Sequence, residues 1–68
     1  MNVNMGKNRL KEFRESMAWS ISELARKADL TPQTVTKMEK GERTTRNSRI
    51  KASKALGKKP EEIFGDEE

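Results

Sequence analysis

Two helix starts lie so close together in this chain that they dictate much of how it folds. Ser20 and Glu23 form an S-x-x-E capping box, while Trp19 and Leu24 occupy the N′ and N4 positions of a hydrophobic staple. A second start follows at Thr31 and Pro32: threonine is a good N-cap, and proline at N1 lacks only an N–H that the helix would not use. Asp29 interrupts the apolar pattern of the first of these helices, so about three residues connect the two. Leu24, Ala25 and Ala28 form the inward face of the first helix, and Val35 and Met38 that of the second. With so short a connection, helices carrying Ala25 and Val35 at their crossing must meet steeply with close backbone contact, which is helix-turn-helix geometry. A plain helical hairpin would also bury Leu and Ala, but it would not need a small residue, a turn residue and a β-branched residue at these separations.

The flanking segments are helical too. Leu10, Phe13 and Met17 recur at i, i+3 and i+7, predicting a helix from about Asn8 to Met17 with Asn8 as its N-cap. The helix opened by Thr31 runs to about Lys40 and stops at Gly41. A fourth, from about Arg46 to Leu56, ends at Gly57 and has thin apolar content in Ile50, Ala52, Ala55 and Leu56. Pro60 to Phe64 supplies a last turn, with Glu61 and Glu62 near the positive end of its dipole and Ile63 and Phe64 available to close the core. Strand signals are absent, so the expected fold is all-α with five short helices. Residues 8–65 are read as one domain, 1–7 as a loose N-terminal arm and 66–68 as an acidic tail.

A chain of 68 residues has room for one small core, which buries only about 60% of the surface that the unfolded chain exposes. There is no cysteine for a disulfide or thiolate metal site, and no histidine for general-base work or zinc. An enzyme, a resident metal and a cofactor are therefore not expected, nor is a small-molecule ligand. No apolar run approaches the roughly 20 residues of a membrane span or resembles a signal peptide, so the expected setting is cytoplasmic. The net charge of +4 is segregated: residues 37–59 hold nine basic side chains against two acidic ones, and residues 60–68 hold five acids and no base. A positive stretch suits a polyanion, because neutralising phosphates releases condensed counterions.

The stretch S-I-S-E-L-A-R-K-A-D-L-T-P-Q-T-V-T-K-M-E-K-G at 20–41, followed by A-L-G at 55–57 and E-E-I-F-G at 61–65, resembles the Cro/repressor-type (Xre) helix-turn-helix proteins of phages and bacterial regulators. The resemblance covers roughly residues 8–65. It implies a lambda-repressor-like domain of five helices that binds operator DNA, commonly as a dimer. It also implies that an arginine of helix 1 pairs with a glutamate near the end of the recognition helix, here Arg14 and Glu39, each of which sits beside an apolar stripe. Two departures stand out. Asp29 replaces the usual turn glycine, and it tolerates the left-handed conformation better than most side chains. In helix 4, Arg46 and Arg49 stand where the family commonly buries large apolar residues, so Ile50 is expected to take over that packing.

With Val35 and Met38 inward, the helical period leaves Pro32, Gln33, Thr36, Lys37 and Lys40 on the opposite face. Gln33 can bond adenine N6 and N7, Lys37 can donate to guanine O6 and N7, and Pro32 and the Thr36 methyl can touch a thymine methyl. The resemblance places base contacts at these four positions. Backbone contacts are expected from N–H groups near Ser20 and Ile21 and near Thr34, at helix starts, and from Lys40, Arg43, Thr44 and Arg46. The expected partner is double-stranded DNA, an imperfect palindrome bound by a homodimer. The leading function is a stand-alone transcriptional regulator, a repressor. An antitoxin that binds a toxin through the same fold and regulates its own synthesis is the alternative.

Overall fold

The structure, a computed structural model, describes residues 8–65; the arm and tail expected at 1–7 and 66–68 lie outside the described residues. Five helices follow one another: α1 (Leu10–Ser16), α2 (Ile21–Ala28), α3 (Pro32–Glu39), α4 (Arg46–Leu56) and α5 (Pro60–Phe64). There is no strand among the described residues. α2 is the hub, packed against both α3 and α4, while α1 and α5 close the remaining sides. Leu10, Leu24, Ala25, Ala28, Val35, Met38, Ala52, Leu56, Ile63 and Phe64 form one core, with Phe13, Trp19, Ile21 and Leu30 packed on its edge. Full burial of a Leu, Val or Met side chain contributes roughly 1.5–3 kcal/mol.

The starts of α2, α3 and α4 are fixed by their caps. The Glu23 N–H donates to Ser20 Oγ at 3.1 Å and the Ser20 N–H to Glu23 Oε1 at 2.9 Å, completing the capping box. Thr31 accepts from the Thr34 N–H, and Thr45 from the Ser48 N–H. Four helix ends close in the same way, through a left-handed residue followed by a six-to-one hydrogen bond. The left-handed residues are Ala18, Asp29, Gly41 and Gly57. The long bonds run from Trp19 N–H to Arg14 O, Leu30 to Ala25, Glu42 to Lys37 and Lys58 to Ser53. Asp29 thus makes the tight turn between α2 and α3 at φ 60 and ψ 46, without glycine.

Three expectations about the flanks need correction. α1 begins two residues late, with Arg9 rather than Asn8 at the N-cap. The Asn8 side chain still serves the helix start, since its Oδ1 accepts from the Leu10 N–H at 2.9 Å, while its Nδ2 donates to Met38 O at 2.8 Å. Met17 is not part of the inward stripe: the helix turns left-handed at Ala18, and Met17 lies 45% exposed. Ile50 does not take over the packing of α4 either. The buried residues of that helix are Ala52, Ser53 and Leu56, with the Ser53 hydroxyl donating to Arg49 O at 2.8 Å, which lets a serine enter the core.

Candidate nucleic-acid interface

α3 buries one stripe and presents the other. Val35 and Met38 are buried against the core, whereas Pro32, Gln33, Lys37 and Lys40 are exposed and Thr36 is half-exposed. Pro32, Gln33, Thr36, Lys37 and Lys40 line one shallow, open concavity along the helix, together with Glu42. The sequence reading missed Glu42. Its position follows from the left-handed turn at Gly41, which folds the chain back so that the Glu42 N–H reaches Lys37 O at 3.0 Å. A carboxylate at this rim repels phosphate and can accept from cytosine N4.

Behind this face, α1 and the residue before its cap grip the end of α3 at two points. Arg14 Nε donates to Glu39 Oε2 at 2.6 Å and a terminal nitrogen to Glu39 Oε1 at 3.3 Å, a two-pronged pair whose side chains are 9% and 10% exposed. The remaining terminal nitrogen donates to Trp19 O at 2.8 Å, so the guanidinium also ties down the segment before α2. Asn8 supplies the second grip through Met38 O. These contacts fix the pitch of α3 relative to the core without using any residue of its exposed face.

The backbone-contact candidates divide. The Ser20 N–H is taken by Glu23 and the Thr34 N–H by Thr31, so neither is the open donor expected at its helix start. The Thr34 hydroxyl lies 3.0 Å from that of Thr31. Ile21 and Ser22 occupy N1 and N2 of α2, positions whose N–H groups have no acceptor within a helix. Lys40, Arg43 and Arg46 are exposed around the end of α3, the following loop and the start of α4. Thr44 is half-buried, and its carbonyl accepts from Arg49 at 2.6 Å. Arg49, in contrast, is half-buried and turns towards the loop.

No group of His, Cys, Asp or Glu side chains among the described residues is arranged to hold a metal ion. No helix there is long and apolar enough to cross a membrane. No curated protein and no solved structure matches the chain. A family model described as helix-turn-helix matches residues 10–63, most of the chain. The closely packed α2–α3 pair joined by the left-handed turn at Asp29, the exposed Gln–Thr–Lys face and that match lead to one conclusion: the chain belongs to the Cro/repressor-type (Xre) helix-turn-helix family of DNA-binding regulators.

Proposed function

We propose that the protein is a sequence-specific transcriptional repressor that lays α3 in the major groove and binds an imperfect palindrome as a homodimer. The observation that carries this reading is the face of α3: a row of Gln33, Thr36, Lys37 and Lys40 with no packing duty, on a helix held from behind by Arg14 and Asn8. At about 1.5 Å per residue an eight-residue helix spans about 12 Å, comparable with the width of the major groove. In that pose Gln33 and Lys37 address neighbouring base pairs, with Pro32 and Thr36 against thymine methyls. Ile21, Lys40, Arg43, Thr44 and Arg46 then serve phosphates on either side, and the Ser20 and Thr34 hydroxyls, rather than their N–H groups, are their contribution.

One such helix reads only a few base pairs, and two copies on half-sites about 34 Å apart double the sequence read. The described domain measures 29 × 23 × 20 Å between Cα extremes, so copies at that spacing come close enough for their side chains to meet. A domain of this size represses by occupying DNA that the transcription machinery needs. The test is to select bound sites from a random duplex pool. Two inverted half-sites about one helical turn apart are expected; a single asymmetric half-site holding one copy of the protein would rule out the homodimer.

A further inference from the structure

Arg49 is a cation of α4 that the fold turns towards the α3–α4 loop. It is half-buried on α4, and its terminal nitrogen donates to Thr44 O at 2.6 Å, across the loop that joins α3 to α4. It lines a cleft under that loop with Gly41, Glu42, Arg43, Thr44 and the core residue Phe64. Its own carbonyl accepts from the hydroxyl of Ser53, a buried residue one turn further along α4. A short chain of hydrogen bonds thus runs from the core, through Ser53 and Arg49, to the main chain of the loop beside Arg43.

Building on the DNA-binding reading above, we infer that Arg49 is a positioning residue: it holds the α3–α4 loop in the shape that presents Arg43 and Thr44 to phosphate, and does not itself contact DNA. The loop from Gly41 to Thr45 has no helix of its own, so without a brace its residues must be ordered when DNA arrives, and that ordering subtracts from affinity. Removing the brace leaves the contacts in the final complex intact but raises the cost of reaching it. The two effects separate experimentally. Affinity reports the ordering cost, whereas the slope of log affinity against log salt counts phosphates neutralised in the complex, about 0.9 per contact.

The experiment measures binding to a 20-bp mixed-sequence duplex across a salt series. It compares the wild type with Arg49→Met, Arg49→Lys and Arg43→Ala, at a temperature where circular dichroism shows each variant folded. Arg49→Met is expected to weaken binding about tenfold, the loss of one charge-assisted hydrogen bond, with an unchanged salt slope. Arg49→Lys keeps one donor on a long stem and is expected to lose less, again with an unchanged slope; Arg43→Ala should make the slope shallower by about 0.9 per contact. Amide exchange in the loop should quicken in Arg49→Met more than in the core of α2. A slope made shallower in Arg49→Met but kept in Arg49→Lys, which retains the positive charge, would show Arg49 to be a phosphate ligand and overturn the inference. So would affinity unchanged in both. A wild type with no salt-dependent affinity for duplex DNA would instead overturn the DNA-binding reading on which the inference rests.

Discussion

Ala18 carries a conformation that its side chain resists. At φ 62 it closes α1 in the left-handed region, where a Cβ costs roughly 1–2 kcal/mol. Ala18→Gly relieves that strain at some expense in chain entropy, and a net stabilisation of about 1 kcal/mol is expected, a rise in Tm of about 4–8 °C by calorimetry. Arg14 is the opposite case. Arg14→Ala strands the Glu39 carboxylate, 10% exposed, and should cost about 3–5 kcal/mol, whereas Arg14→Ala with Glu39→Met should recover much of the loss; an Arg14→Ala variant as stable as the parent would mark both as ordinary surface charges. The left-handed turn at Asp29 was legible because two strong helix starts forced a turn between them. That at Ala18 was not, since alanine carries no signal for this conformation and only the stop of α1 demands it.

At the level of elements, α3 is held along one face, and the face it leaves exposed is the one proposed to read bases. Gln33→Ala should remove about 1–3 kcal/mol of discrimination at one position of each half-site while leaving nonspecific binding nearly intact. Lys40→Ala should weaken all sequences alike and flatten the salt dependence. Affinities for a selected site and a scrambled duplex at one salt concentration check both; an equal loss on both duplexes for Gln33→Ala would mean that α3 is not the reading element. α2 and α3 could be read from the sequence almost residue by residue, because capping chemistry fixes where they begin and periodicity fixes which face is buried. α4 could not. Its core side is built from Ala52, Ser53 and Leu56, and the serine is buried by a hydrogen bond to its own helix that no hydropathy pattern announces. The inward turn of Arg49 was likewise hidden, because its partner is a backbone carbonyl, which any sequence supplies. Most of the exposed α3 face was legible, and Glu42 was missed because it reaches that face only through the turn at Gly41.

For the molecule as a whole, exposed cations stand on α3, the following loop and the start of α4, at Lys37, Lys40, Arg43 and Arg46, while the exposed Glu61 and Glu62 stand on α5. Affinity for duplex DNA should therefore fall steeply between 50 and 200 mM salt, with a log–log slope near −0.9 per phosphate contacted; a flat curve would exclude DNA as the partner. The helices have 7, 8, 8, 11 and 5 residues, and helices shorter than about 12–15 residues are marginal alone in water. None of them persists unless the others are in place, so the described domain is either wholly assembled or wholly undone. A protease that meets the undone form removes the regulator entirely, leaving no fragment able to hold DNA. In a cell, the stability to which Arg14 and Ala18 contribute with opposite sign thus becomes a clock: it fixes how long each copy survives once synthesis of the protein stops.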